Sequence, residues 1–258
     1  MEFDIFRVPK IVFGYGSLKY LKEVRCKMCV VVTGKGSMRK LGFLDKTLQY
    51  LGNCEVFEGI EENPTISTVL EGAEFMRNIK PDTIVGIGGG SAIDAAKAMM
   101  IFYEHPEVSF EDIAIKRCKT VPKLKTRFIA IPSTSGTATE VSAGSVITDT
   151  HSKIKYPIVS DEIVPDLAIV DPELTLSMPK YVTANTGLDA LTHAVESYVC
   201  KYANEFTKPL ARNSVRLILK YLPKAYENGR DRKAREMMHY ASTMAGAVSY
   251  THLTLPTN

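Results

Sequence analysis

Over residues 27–170, short apolar runs alternate with longer stretches whose apolar residues recur every three or four positions, and few folds accommodate that alternation. Residues 27–33, Cys54-Glu-Val-Phe57, Thr83-Ile-Val-Gly-Ile87, Phe128-Ile-Ala-Ile131 and Asp166-Leu-Ala-Ile-Val170 read as strands. Between them, 38–51, 65–79 and 92–103 carry the helical period, with Val69, Leu70, Ala73 and Met76 expected on one buried face. Residues 83–87 contain no charged side chain and are expected to be buried on both faces. A chain of this pattern is predicted to be α/β, a doubly wound, mostly parallel sheet with helices on both sides.

The pattern changes after Pro165. Beyond Asp171-Pro172, residues 183–200, 206–221 and 230–247 all read as helices. The expected organisation is an α/β unit over 1–175 followed by an all-α unit over 176–247.

Composition narrows the function classes. With 45% hydrophobic and 24% charged residues, the chain buries enough surface to order itself. Thirty-two Lys and Arg against 29 Asp and Glu leave a dispersed net charge of +3. The basic stretch at 116–125 has no interleaved aromatics and reads as a solvated loop, so no nucleic-acid partner is expected. No apolar run reaches the ~18 residues of a membrane span, and Met1-Glu2-Phe3-Asp4 lacks the features of a secretion signal. Five irregularly spaced cysteines suit free thiols in a reducing cytoplasm. Cys26 and Cys29 form a CxxC that runs straight into an apolar strand, without a second pair to complete a zinc site.

Two loops and one helix carry chemistry. Gly86-Ile-Gly88-Gly89-Gly90-Ser91-Ala-Ile-Asp94 follows a buried strand and opens a helix, where free N–H groups and the helix dipole suit a pyrophosphate. More glycines stand here than a tight turn needs, and Ser91 with Asp94 reads as a capping pair. A second polar loop, Pro132-Ser-Thr-Ser-Gly136-Thr-Ala-Thr139-Glu140, also follows an apolar strand, so both point to one crevice at the carboxyl ends of the strands. Within Gly187-Leu-Asp189-Ala-Leu-Thr-His193-Ala-Val-Glu196, Asp189 and His193 are one helical turn apart and stack on one face. One carboxylate and one imidazole suit a divalent transition metal, but two ligands alone do not make a site, and Glu196 is a surface residue or a second-line partner.

Taken in order, several segments resemble the iron-dependent (group III) alcohol dehydrogenases. They are Pro9-Lys-Ile-Val-Phe13-Gly14-Tyr-Gly16, Asn63-Pro-Thr65, Gly88-Gly-Gly-Ser-Ala-Ile-Asp94-Ala-Ala-Lys97, Pro132–Glu140, Pro165–Thr175 and Thr186–Glu196. The resemblance runs from residue 3 to about residue 247. It implies a Rossmann-like, dehydroquinate-synthase-like sheet, an NAD or NADP cofactor, and Fe2+, with Zn2+ possible in its place. It also implies hydride transfer between a small alcohol and its aldehyde or ketone, in a protein that forms homo-oligomers. By the same resemblance Gly89, Gly90, Ser91 and Asp94 would hold the pyrophosphate. Asn63, Thr134, Gly136, Thr137, Lys155 and Leu176 would line the rest of the cofactor site. Asp189 and His193 would be two of four metal ligands and act in catalysis through the metal, the remaining two being histidines further along the relatives' chains.

Cofactor choice is read at the turn after the strand at 27–33, Thr33-Gly34-Lys35-Gly36-Ser37-Met-Arg39. Gly34 stands where an acidic residue would bond the ribose 2′-hydroxyl, while Lys35, Ser37 and Arg39 suit a 2′-phosphate, which favours NADP.

The helical period breaks at Val248, and 248–258 reads as a non-native tail whose His252 comes too soon to be a ligand. The resemblance then implies that 1–175 is a nicotinamide-dinucleotide-binding unit, that the metal-binding helical unit at 176–247 is incomplete, and that the chain is C-terminally truncated, keeps two metal ligands and is inactive as it stands. A glycerol-dehydrogenase-like enzyme and a non-catalytic nucleotide-binding fragment are the alternatives.

Overall fold

The computed structural model describes residues 6–249, and every strand expected from the alternation is present in one parallel sheet. Its strands are β1 (Lys10–Phe13), β2 (Cys29–Gly34), β3 (Cys54–Ile60), β4 (Thr83–Gly88), β5 (Arg127–Pro132) and β8 (Leu167–Val170), in the order β1-β8-β5-β4-β2-β3. The crossovers carry α1 (Ser37–Lys40), α2 (Phe43–Leu51), α3 (Ile66–Ile79) and α4 (Gly90–Glu104). Between β5 and β8 lies an antiparallel hairpin, β6 (Gly144–Asp149) and β7 (Ile154–Val159). The helices α5 (Lys180–Val199), α6 (Thr207–Glu227) and α7 (Arg232–Ser249) complete the described chain.

Strand periodicity divides the core into two. Val30, Val32 and Ile84 face α3 and α4, where they pack with Val69, Met76 and Ile93. Val31, Val85, Ile87, Ile129 and Ile131 face the other side, against Leu18, Leu21, Met38 and Leu44. The side chains of 83–87 are all buried, as strands covered on both faces require. Gly86 lets α4 lie close on the sheet, since a Cβ there would stand 3.2 Å from the Ile93 Cα. The CxxC stays structural in form: Cys29 is a core residue of β2 opposite Cys54, and its thiol is pushed up by its Cys54 neighbour and by burial. Lys116 and Lys119, in the basic stretch, pair with Glu111 and Asp112 at the surface.

Several local expectations are corrected. The single helix over 38–51 is two, because Gly42 adopts a left-handed φ of 73° between them. Leu70 is 45% exposed, while Val69, Ala73 and Met76 are fully buried, so the apolar face of α3 is narrower than its spacing suggests. Ser91 and Asp94 do not form a capping pair. The N-cap of α4 is Gly89, with no side-chain cap, and the Ser91 hydroxyl instead accepts from the Asn63 amide at 3.3 Å. The helix α6 runs through Pro223 to Glu227, beyond the expected end at 221. The hairpin β6–β7 was not anticipated.

The three C-terminal helices pack around Ala190, Leu217, Ile218, Ala234, Met238 and Ala241. They join the sheet through α7, whose Ala247 packs with Ala138, Val141, Ala168 and Val170. The approach is close enough that a Cβ on Gly246 would stand 2.1 Å from that of Ala138. The buried Arg235 ties α7 to the entrance of α5, donating to the Thr183 hydroxyl at 2.7 Å and to the Met178 carbonyl at 2.8 Å. The helical period does not break at Val248: α7 continues to Ser249, and Val248 is buried. The rest of the expected tail, 250–258 with His252, lies outside the described residues.

Candidate active site

Sheet order reverses between β2 and β4, since the chain leaves β2 towards β3 and returns past it to β4. The crevice beyond the carboxyl ends of such strands is where open α/β sheets take their ligands. A cleft of about 490 Å3 lies there between the sheet, the hairpin β6–β7 and α5. It brings together eight residues singled out from the sequence: Asn63, Gly90, Ser91, Asp94, Thr137, Lys155, Asp189 and His193. Glu196 also lines it.

The other candidates sit around this cleft and do not line it. Gly89 caps α4 and abuts Thr134, whose Cγ2 would be 3.6 Å from a Cβ at Gly89. Gly136 is pressed against α5, where a Cβ would come within 2.6 Å of the Thr186 Cβ. Leu176 ends the short helix Pro172–Thr175. Gly34 ends β2 and Ser37 begins α1, at the switch point.

The mouth of α4 leaves its backbone open to close approach. A Cβ on Gly90 would lie 2.5 Å from the Thr137 hydroxyl, so only glycine lets the two loops meet here. Asn63 holds a left-handed φ of 59° beside them, with its amide on Ser91. The α4 N-terminus thus opens into the cleft with its first amides uncapped by any side chain, which fits an anionic ligand group.

Beneath this mouth lies a charged network whose connections the sequence motifs did not show. Asp94 accepts from the Thr139 hydroxyl at 2.5 Å and from the Val146 amide at 3.2 Å, so it fastens the hairpin to α4. Lys97, fully buried, donates to the carbonyls of Thr139, Ser142 and Gly144 at 2.7, 2.6 and 3.0 Å. Glu140, 2% exposed, accepts from Thr243 of α7 at 2.7 Å. Burial pushes Lys97 down to about 8 against the opposing pull of Asp94 and Glu140, and it raises both carboxyls. Thr139 and Glu140 belong to the second polar loop and Lys97 closes the glycine motif, but no sequence signal pointed to the burial of Lys97 or to Ser142, Gly144 or Val146.

On the facing wall, the Asp189 Oδ1 and His193 Nε2 stand 3.8 Å apart. That is too long for a hydrogen bond, and it is the span of two ligand bonds of about 2.1 Å meeting at an open angle. The buried Nδ1 of His193 has no hydrogen-bond partner. The pair therefore fits a divalent cation in donor type and spacing. Among the described residues no group of three or more His, Cys, Asp or Glu is arranged to hold a metal, so the pair is a partial donor set.

A second imidazole, His239 of α7, is fully buried; it contacts the Ser135 hydroxyl at 3.1 Å, and its Nε2 has no partner. Burial holds its pKa down at about 3, so the ring is neutral. No helix among the described residues is long and apolar enough to cross a membrane.

Comparison with known proteins agrees with this geometry. The profile of the iron-containing alcohol dehydrogenases matches residues 9–172, and that of the C-terminal part of the Fe-containing alcohol dehydrogenase family matches 183–255. The chain is 52% identical over 248 residues to an NADPH-dependent butanol dehydrogenase of Clostridium saccharobutylicum, covering 93% of this chain and 63% of that protein. The iron-containing alcohol dehydrogenase of Thermococcus thioreducens superposes with a TM-score of 0.89 at 38% identity, covering 95% of this chain and 66% of that one. The sulfoacetaldehyde reductase of Bifidobacterium kashiwanohense, solved in complex with NAD+, gives 0.90 at 32% identity, covering 96% and 67%. With its parallel sheet, its glycine-lined helix mouth and its Asp189–His193 pair in the matched order, the chain belongs to the iron-containing alcohol dehydrogenase family.

Proposed function

We propose that this chain carries the dinucleotide cleft and part of the metal centre of an alcohol dehydrogenase that moves hydride between a small alcohol and NADP. The observation that carries this reading is the convergence of Asp189 and His193 on the same cleft as the Gly90–Ser91 mouth of α4. A metal there supplies Lewis acidity for an alcohol or carbonyl oxygen, which is what iron, or zinc in its place, contributes to such chemistry.

The chain's own residues do the rest. Gly89, Gly90 and Ser91 present amides and a hydroxyl to the pyrophosphate. Asp94 serves it indirectly, because both its oxygens are already occupied in holding Thr139 and the hairpin. Asn63, Thr134, Gly136, Thr137, Lys155 and Leu176 form or back the walls that orient the nicotinamide end. Asp189 and His193 bring the metal to that end. Gly34 and Ser37 sit at the adenosine end, where the missing acidic side chain leaves room for a 2′-phosphate. The 52% identity to an NADPH-dependent relative supports that preference. The division into a cofactor unit at 1–175 and a metal-bearing helical unit from 176 follows the change from sheet to helices. Five free thiols persist in a reducing compartment, so the reading extends to the cytoplasm.

Titration of the chain with NADPH and NADH, followed by nicotinamide fluorescence, tests the cofactor reading. Both are expected to bind, NADPH more tightly. Gly34→Asp is expected to shift the ratio of the two affinities towards NADH by about tenfold, the worth of one charged hydrogen bond plus repulsion. The site has room for it, since a Cβ at Gly34 meets only the Ile60 carbonyl, at 3.5 Å. An unchanged ratio would defeat the assignment of this turn to the adenosine ribose.

A further inference from the structure

The turn after β2 contains a contact that bears directly on cofactor choice. Arg39 is already paired: its Nε donates to Glu58 Oε2 at 3.0 Å and to Oε1 at 3.3 Å, and its Nη2 donates to Oε2 at 2.8 Å. Asp45 lies 3.8 Å from the Nη1. Glu58 is the neighbour of Thr33 in the β2–β3 register, one residue before Gly34. The ion pair therefore bridges the carboxyl ends of β2 and β3, beside the end of the crevice where a sheet of this topology places the adenosine ribose.

We propose that Glu58 is a specificity-determining residue that competes with the cofactor's 2′-phosphate for the Arg39 guanidinium. The proposal rests on the dinucleotide reading given above. Three features carry it. An Arg fork that grips a carboxylate through two nitrogens has the geometry to grip a phosphate in the same way, so the two ligands exclude one another. The Arg39 and Glu58 side chains are 50% and 29% exposed, so the pair is open to exchange with a solute anion. Gly34 contributes no side chain to the ribose, which leaves Lys35, Ser37 and Arg39 to discriminate between the two cofactors.

Binding of the phosphorylated cofactor then requires Arg39 to leave Glu58, and it brings a dianion near a carboxylate that has lost its partner. Binding of the unphosphorylated cofactor leaves the pair intact. Glu58 thus holds down the preference for NADP that the rest of the turn favours.

The test measures NADPH and NADH dissociation constants on the wild-type chain, on Glu58→Gln, on Arg39→Met and on the double variant. Glu58→Gln is expected to tighten NADPH by about five- to tenfold, the worth of one freed charged donor at the surface, with NADH changed less than about twofold. In the Arg39→Met background the same change is expected to lose most of that gain, because the two residues act as a coupled pair. Equal tightening with and without Arg39 would reduce Glu58 to simple repulsion and overturn the proposal. So would an unchanged NADPH affinity, or an equal change for both dinucleotides. Failure of the wild-type chain to bind either dinucleotide would instead remove the reading on which the proposal stands.

Discussion

On the sheet side of the cleft, Asp94 is fastened by Thr139 and the Val146 amide above a Lys97 that is fully buried. On the helix side, Asp189 and His193 stand 42% and 30% exposed, with 3.8 Å between them and no hydrogen bond. The sheet wall has its charges satisfied by the protein itself, so it is shaped before any ligand arrives. The helix wall leaves the Asp189 oxygen and the His193 nitrogen apart, as the proposed function expects of a pair that a cation would come between. This difference separates what folding requires of the site from what chemistry requires of it.

The widest test of that contrast is Lys97→Met. Removing the ammonium leaves three carbonyls without a donor and two buried carboxyls without a countercharge, at a cost of about 3–5 kcal/mol. Thermal unfolding should show it, together with loss of dinucleotide binding as residues 139–144 loosen. A stability loss below about 1 kcal/mol would mean that the sheet wall does not depend on this ion.

A smaller effect is expected where the two walls touch. Gly136 lies against α5, where a new Cβ would sit 2.9 Å from the Thr186 Cα and 3.0 Å from its carbonyl. Backbone cannot swing aside as a side chain can, so Gly136→Ala should cost about 1–3 kcal/mol. It should also weaken NADPH, since the loop that carries Thr137 must shift. Melting and fluorescence titration of the same variant separate the two consequences.

His239 supplies a pH dependence from the same region. Its pKa falls from 6.5 to about 3 on folding, mainly through burial. Below pH 6.5 the unfolded chain takes up a proton that the native chain refuses, so this group lowers stability as pH falls and does nothing above that range. The slope approaches about 1.4 kcal/mol per pH unit towards pH 5. His239→Gln, which keeps a polar group for Ser135, should flatten the fall in melting temperature between pH 7.5 and 5. An equally steep fall in the variant would assign the acid sensitivity to other groups.

The contrast also explains what could be read from the sequence. The strands were legible because each core faces one parity of residue, as Val30 and Val32 against Val31 show. The mouth of α4 was legible because three glycines in a row exceed the needs of a turn, and Gly90 does touch Thr137 too closely for any side chain. Lys97 was not legible. A lysine in a helix ordinarily reads as solvent-facing, and its burial depends on carbonyls more than forty residues downstream. The hairpin β6–β7 hid for a related reason: Ile147 and Ile158 are buried, but Val146, Ile154 and Val159 are 40%, 49% and 48% exposed, so apolar residues stand on both of its faces and the alternation is lost. Arg39 was legible as a cation but not as an occupied one, since Glu58 meets it only through strand pairing. Spacing reports local periodicity, whereas these partners come together only through the topology.

The smallest stability effect is expected at the helix wall, where it says most about function. Asp189→Asn and His193→Ala each remove a partly exposed group that makes no side-chain hydrogen bond, so the cost should stay within about 0.5 kcal/mol. If folding placed these residues for their own sake, truncating either would leave a buried group stranded, as at Lys97. If they are placed for a cation, stability should hold while affinity for Fe2+ or Zn2+ falls. Calorimetric titration with Zn2+, alongside melting of the same samples, reads both quantities at once. The Asn variant is the more informative, because it keeps the shape and an oxygen while removing the charge. A tenfold or greater loss of Zn2+ affinity, about 1.4 kcal/mol or more, with an unchanged melting temperature would assign the carboxylate to the metal. An unchanged affinity would return Asp189 and His193 to an ordinary helix surface and leave the sheet wall as the only built half of the cleft.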